Sequence, residues 1–255
     1  MRVTFLGTGT SHGVPMIGCR CAVCRSDDPR DRRWRPSILV RFDDGTQLLV
    51  DTSTDLRAQA LAFGVDRVDA ILYTHSHADH ILGLDEVRRF NTLQGTPVPL
   101  YGDGRTLADL RRVFAYAFDS DTAPGGGIPQ LRPFEVAGPF CLGPAGIVPV
   151  PIRHGGRTIL GYRMGAFAYL TDCNGIPHGS GALVAGLDVL VLGALRHRPH
   201  PTHFTVAEAV AAAQRIGARR TFLTHMCHDL GHAATCAALP EGITLAFDGL
   251  TIDVG

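Results

Sequence analysis

The stretch Thr74-His75-Ser76-His77-Ala78-Asp79-His80 constrains this chain more than any other. Three histidines and an aspartate at H-x-H-x-D-H spacing are hard to place in a core or on an ordinary surface. An apolar run, Val68 to Tyr73, precedes them and reads as a buried strand. Ile81 to Val87 follows, with its apolar residues at helical spacing. The cluster therefore sits on a strand-to-helix turn, where α/β proteins mount chemistry. Imidazole and carboxylate donors together suit Zn, Mn or Fe(II) and argue against Ca.

A second cluster, Gly18-Cys19-Arg20-Cys21-Ala22-Val23-Cys24, calls for a separate explanation. Thiolates at C-x-C-x2-C spacing can converge on one tetrahedral ion, most simply Zn, leaving one position for a distant residue. No open coordination position is required here, so the site reads as structural. A disulfide framework is not expected for seven cysteines in a chain whose N-terminus lacks the pattern of a secretion signal. The compartment expected is the cytoplasm, and no apolar run reaches membrane-spanning length.

Charge narrows the partners. The 24 basic residues, all of them Arg, balance 24 acidic ones. No global field therefore favours nucleic acid or an anionic membrane. Arg25 to Arg35 gathers five arginines with Asp27, Asp28 and Asp31, and reads as a solvated loop before an anion-binding patch.

The remaining chain supplies strands with polar residues at their ends. Arg2 to Leu6 runs into Gly7-Thr8-Gly9-Thr10-Ser11-His12-Gly13-Val14-Pro15, a tight turn that lacks a nucleotide fingerprint and is expected to line a pocket, with His12 in reach. Ser37 to Phe42 and Gln47 to Asp51 flank a hairpin signal at Asp43-Asp44-Gly45. Asp51 is placed to support a metal ligand from behind. Thr52-Ser53-Thr54 offers caps for a helix over Leu56 to Phe63. Val98 to Tyr101 reads as a strand and Thr106 to Phe118 as one helix. Asp119 to Gln130 reads as a mobile loop or a lid. Gly146 to Arg153 ends at His154. Leu160 to Met164 and Phe167 to Thr171 form a hairpin about Gly165 and end at Asp172. Leu187 to Leu192 is a strand. Phe204 to Ile216 is a helix that Thr205 can cap, Arg220 to Leu223 ends at Thr224-His225, and Gly249 to Val254 closes the chain. No linker or repeat divides it, so residues 1–255 are expected to form one domain.

His154, Asp172 and His225 each follow an apolar strand, as His75 does. Strand ends along one sheet edge converge, so these residues can complete one site. With His75, His77, Asp79 and His80 they make seven donors, about right for two cations sharing a carboxylate.

At this point the sequence resembles the metallo-β-lactamase superfamily, through Thr74 to His80, His154, Tyr169-Leu170-Thr171-Asp172 and Leu223-Thr224-His225. The resemblance implies an α/β, four-layer αββα sandwich of two mixed β-sheets with the site along their upper edge. A narrower resemblance rests on Gly13-Val14-Pro15 before the cysteines, His225-Met226-Cys227-His228 and Phe247-Asp248-Gly249. These are similar to the phosphoribosyl cyclic phosphodiesterase of bacterial phosphonate breakdown. That resemblance implies two catalytic divalent cations, Mn or Zn, and one structural Zn. By position, His75, His77 and His154 would hold one catalytic cation, Asp79, His80 and His225 the other, and Asp172 would bridge. Cys19, Cys21, Cys24 and His228 would hold the structural Zn, with Cys227 a rival for the fourth position.

The resemblance also gives Asp79, Asp172 and His203 catalytic parts. His203 is the candidate proton donor, with His197 and His200 nearby as competitors. His12 departs from the family's pattern. The function implied is hydrolysis of a small phosphodiester, cyclic in the nearest case, by a chain that could pair as a homodimer. The alternatives are tRNA 3′-processing, thioester or lactam hydrolysis, and a non-catalytic metal-binding scaffold.

Overall fold

The computed structural model describes residues 1–119, 127–143 and 145–255. Its strands are β1 (Arg2–Gly7), β2 (Ser37–Arg41), β3 (Gln47–Val50), β4 (Ala70–Leu72), β5 (Val98–Gly102), β6 (Leu131–Glu135) and β7 (Phe140–Leu142) in the first half. The second half adds β8 (Ala145–His154), β9 (Arg157–Met164), β10 (Phe167–Leu170), β11 (Val189–Gly193), β12 (Arg220–Thr224), β13 (Ile243–Leu245) and β14 (Thr251–Asp253). The helices are α1 (Leu56–Phe63), α2 (Ala78–Ile81), α3 (Val87–Gln94), α4 (Gly104–Val113), α5 (Ala115–Phe118), α6 (His178–Leu183), α7 (Val206–Ile216) and α8 (His232–Ala238).

The strands assemble into two mixed sheets, ordered β14-β1-β2-β3-β4-β5-β6 and β13-β12-β11-β10-β9-β8-β7. Strands β3 to β6 run parallel, as do β10 to β13, while the others pair antiparallel. Alternation along each strand explains the layers. Ile38, Val40, Leu48 and Val50 point into a core shared with Tyr162, Tyr169, Val189 and Val191 of the other sheet. Their neighbours Leu39, Leu49 and Ile71 point outward against Leu56, Leu84, Phe90 and Leu110. On the far side, Leu190, Leu192 and Leu223 meet Ala209, Ala212 and Ala213 of α7. Central strands are thus buried on both faces, which is why they read as continuous apolar runs. The result is an αββα sandwich.

Helix α7 starts with a capping box: Glu208 N donates to Thr205 Oγ1 at 3.2 Å, and Thr205 N donates to Glu208 Oε2 at 2.8 Å. Several expectations are corrected. The helix read over Ile81 to Val87 is instead α2, which already begins at Ala78 and stops at Ile81, and a 3₁₀ turn at Leu84–Glu86, before α3 begins. Thr106 to Phe118 is broken between α4 and α5 at Phe114, whose φ of −112° and ψ of 44° are not helical. The cap of α1 is Asp55, not a residue of Thr52 to Thr54, and its carboxylate binds Arg35 rather than the helix. The Arg25 to Arg35 loop is not simply solvated, because the Arg33 side chain is fully buried and paired with Asp31 at 3.0 Å. The lid expected at Asp119 to Gln130 rests on 120–126, which lie outside the described residues; its far end is fixed to α3, with Gln130 N donating to Asn91 Oδ1 at 2.8 Å. No helix among the described residues is long and apolar enough to cross a membrane.

Candidate metal centre

The parallel strands β3, β4, β10, β11 and β12 all end at one edge of the sandwich, and β8, antiparallel to β9, ends there too. The chain leaves three of these strands in the left-handed region at residues that are not glycine: Asp51 (φ 63°), Asp172 (φ 56°) and His225 (φ 60°). Such a conformation costs on the order of 1–3 kcal/mol per residue and persists only where its surroundings dictate it. Asp and His tolerate it better than most. Close backbone packing fixes one of the three, since a Cβ on Gly193 would lie 2.9 Å from Asp172 N.

The seven expected donors meet there. The donor atoms of His75, His77 and His154 lie within 4.8 Å of one another, as do those of Asp79, His80, Asp172 and His225. Asp172 spans the two groups: its Oδ1 is 3.3 Å from His80 Nε2, and its Oδ2 is 3.1 Å from His225 Nε2 and 3.8 Å from His75 Nε2. The histidines are oriented from behind. His80 Nδ1 is 2.7 Å from Asp51 Oδ2 and His154 Nδ1 is 3.0 Å from Thr202 O. Their Nε2 atoms are left to face the centre. Among the described residues, the buried Nε2 of His75 has no hydrogen-bond partner. Buried polar atoms are seldom left so, and a cation would satisfy it. The residues present therefore fit divalent metal.

Electrostatics gives the same answer. Burial alone would push the His80 imidazole down, but Asp172, Asp79 and Asp51 outweigh it and hold His80 well above its ordinary value. Burial is likewise overcome at His225, chiefly by Asp172, and its pKa stands at about 9. Asp172 stays far below the usual carboxylate range despite burial, because His225 and His80 face it. Two imidazolium protons thus supply the positive charge this acidic pocket demands. His75 is pushed well down, by burial and then by His80.

The cysteine cluster closes around His228, three residues beyond His225. Cys19, Cys21, Cys24 and His228 present donor atoms within 4.8 Å of one another. His228 Nδ1 lies 3.2 Å from Cys19 Sγ and 3.3 Å from Cys21 Sγ. Zn–S bonds of about 2.3 Å and Zn–N bonds of about 2.0 Å imply tetrahedral edges of about 3.5 Å, close to these separations. The N–H of Cys24, with smaller help from His228, lowers the Cys21 thiol to about 6, so a thiolate is accessible at neutral pH. Cys227 is not in this group; its Sγ accepts from Asp229 N at 3.3 Å.

His203 stacks on His225 at 4.9 Å between ring centroids and lies edge-on to His154, also at 4.9 Å. Its donor atom groups with those of His154 and Asp172. Burial, and then His225, press its imidazole down to about 3. It is neutral here, and an anionic phosphoryl group alongside would raise it. His197 is exposed, whereas His12 and His200 line a cleft beside His203. Asn174 went unnoticed in the sequence. Its Oδ1 accepts from Gly155 N at 3.0 Å and its Nδ2 donates to Pro201 O at 2.8 Å, joining the His154 turn to the His203 loop. No spacing signals that role. Tyr162 was also missed, a core aromatic whose hydroxyl donates to Tyr73 O at 2.7 Å and ties the second sheet to the chain just before His75.

Residues 46–226 match the β-lactamase superfamily domain. A curated octanoyltransferase of Porphyromonas gingivalis is 36% identical over 252 residues, covering 98% of this chain and 51% of that protein. Coenzyme PQQ synthesis protein B of Rhodopseudomonas palustris is 30% identical over 148 residues, 53% of this chain and 46% of that one. The chain thus spans about half the length of these curated relatives. Among solved structures, a diphosphatase from the PhnP family superposes with a TM-score of 0.93 and 47% identity, covering 100% of this chain and 98% of its own. Zn²⁺-bound PqqB from Methylobacterium extorquens (TM-score 0.80, 22% identity, all of both chains) shares the fold. So does the short form of human tRNase Z (TM-score 0.71, 20% identity, all of both chains). With its two mixed sheets and a histidine–aspartate cluster at their common edge, the chain belongs to the β-lactamase superfamily and has the metallo-β-lactamase fold.

Proposed function

We propose that this chain is a dinuclear-metal hydrolase acting at phosphorus, on a small phosphodiester or diphosphate. The observation that carries the reading is Asp172, one carboxylate reaching from the His75–His77–His154 group to the Asp79–His80–His225 group. A mononuclear centre would need no donor in that place. Likeness to a diphosphatase over the full chain favours phosphorus as the centre attacked.

His75, His77 and His154 would hold one cation, Asp79, His80 and His225 the second, with Asp172 shared. Cys19, Cys21, Cys24 and His228 would hold a structural Zn. Held there, two divalent cations, Mn or Zn, would supply Lewis acidity, lowering the pKa of water and offsetting charge on phosphoryl oxygens. The protein's residues do the rest. Asp51, Thr202 and Thr74 fix the rings behind the donor atoms. His203 lies against the ligand rings from the open side and, protonated against the bound anion, donates its proton to the departing oxygen. Such a contribution is worth roughly 10²–10⁴ in rate.

Metal-loaded protein is assayed on bis(p-nitrophenyl) phosphate, a nucleoside cyclic phosphate and a dinucleoside diphosphate. Turnover of at least one that disappears on chelation is expected. His203→Ala should slow substrates with alkoxide leaving groups far more than those releasing p-nitrophenolate, which departs without a proton. Equal loss on both would remove His203 as the donor. Metal-loaded protein inert on all three, yet active on thioesters or lactams, would overturn the assignment to phosphorus.

A further inference from the structure

His225 belongs to the histidine–aspartate group and His228 to the cysteine group, yet both stand on one short turn. A buried ion pair holds that turn from behind. The Arg33 guanidinium is fully buried and pairs with Asp31 at 3.0 Å. Its Nη1 donates to Cys227 O at 3.0 Å and its Nη2 to Leu230 O at 2.6 Å, so a carbonyl on each side of His228 is clamped. Asp31 Oδ1 accepts from His232 N at 2.7 Å, which extends the grip to the start of α8.

Arg33 is equally tied to the arm that carries the cysteines. Its N donates to Val14 O at 2.7 Å and its O accepts from Val14 N at 2.9 Å, on the chain leading to Cys19. A Cβ on Gly9 would lie 2.9 Å from Arg33 Cβ, so the Thr8–Thr10 segment packs directly against it. That segment in turn holds the residue after His225. Met226 N donates to Thr8 O at 2.9 Å, and Met226 O accepts from Thr10 N at 3.0 Å. One residue therefore touches the cysteine arm, the glycine turn and the turn that bears His225 and His228.

We infer that Arg33 is a positioning residue that couples the two metal-binding groups: an ion held by the cysteines and His228 fixes the His225 turn and so strengthens binding of the catalytic cations. The coupling is the same whichever ester is hydrolysed, so it does not rest on the phosphohydrolase reading. It must also be reciprocal, a catalytic cation tightening the cysteine site by the same factor. A buried ion pair adds little net stability over apolar residues of equal volume, whereas its fork of donors is satisfied in one arrangement of the turn.

Mn²⁺ and Zn²⁺ separate the two groups, because thiolates select the softer ion. Metal-free protein is titrated with Mn²⁺, free Mn²⁺ being read by its spin resonance, with and without one equivalent of Zn²⁺. Loss of thiol reactivity towards a disulfide reagent confirms that the Zn²⁺ sits on the cysteines. Zn²⁺ should tighten Mn²⁺ binding about fivefold or more, the lower end of ordinary coupling between sites. Arg33→Met with Asp31→Asn leaves no lone buried charge and keeps an acceptor for His232 N; both ions should still bind, with the Zn²⁺ effect reduced to less than about twofold. Arg33→Lys keeps the charge opposite Asp31 but loses the fork, so it should hold its melting temperature and still lose much of the coupling. Were the pair merely structural, Lys would restore the wild-type ratio. A Zn²⁺ effect below about twofold in the wild type, or an undiminished one in Arg33→Lys, overturns the inference, and Arg33→Lys alone decides if the double variant does not fold.

Discussion

Asp51 is the most informative single residue to change, because its effect on metal binding can be worked from its contacts. The carboxylate is buried, accepts from Thr74 N and Thr74 Oγ1 at 2.8 Å each, and stands 2.7 Å from His80 Nδ1. Asp51→Ala leaves three buried donors unpaired, at about 1–3 kcal/mol each, against a total stability of about 5–15 kcal/mol. That variant tests folding more than function. Asp51→Asn is the sharper test, since Asn tolerates the left-handed φ of 63° at this position. With its amide nitrogen towards His80, the ring must accept at Nδ1, which moves the imidazole proton to Nε2 and blocks the atom that faces the centre. With the amide reversed, its NH₂ opposes Thr74 N–H instead. Either orientation sets donor against donor. Loss of such a supporting contact costs about 10–100-fold in metal affinity. Competition titration against a chelator, with thermal unfolding as the folding control, measures it. Asp51→Asn that folds and binds both catalytic cations within twofold of wild type would refute the claim that Asp51 sets the His80 tautomer.

Metal binding should release close to two protons near neutral pH, from His80 and His225, and should strengthen as pH rises towards 9; pH-stat titration that finds no release would contradict the paired imidazoliums. The raised His225 pKa makes a signed prediction for metal-free protein: its stabilisation is complete below 6.5 and is lost as pH rises through about 9. The melting temperature of metal-free protein should therefore fall across that window, by the equivalent of a few kcal/mol at most, while that of loaded protein holds. Cys21→Ser should remove one bound Zn per chain and lower the melting temperature by about 5 °C or more, at about 2–4 °C per kcal/mol for a chain of this size; an unchanged Zn count would reject the structural site. Gly193→Ala would place a methyl 2.9 Å from Asp172 N, costing about 1–3 kcal/mol and displacing the shared carboxylate, so catalytic metal should weaken together with stability.

Much of the candidate donor set was legible because of where the strands end. Strands β4, β10 and β12 are buried on both faces, so their apolar runs stand out and the polar residues just beyond them are conspicuous. Edge strands gave no such signal: β6 (Leu131–Glu135) and β7 (Phe140–Leu142) are half-exposed, and β13 is three residues long. Helix α6 carries two glycines in six residues and α8 is mostly alanine, so neither shows an apolar stripe. The break at Phe114 was invisible because apolar spacing continues across it. Arg33 illustrates a different limit. Its guanidinium donates to Cys227 O at 3.0 Å and Leu230 O at 2.6 Å, contacts across nearly 200 residues that local composition could not convey. The left-handed bends at Asp51, Asp172 and His225 were equally hidden, although all three fall where strands end at the candidate site.

The central claim is that one carboxylate joins two cation sites into a single hydrolytic centre. Metal content and chelator-sensitive phosphodiester turnover, measured side by side for wild type and Asp172→Ala, test it most directly. The account predicts three bound cations per chain in the wild type and loss of at least one in the variant, with the structural Zn retained. Turnover should fall by about 10² or more, given what metal-derived charge stabilisation contributes. Full metal content with undiminished turnover in Asp172→Ala would contradict it.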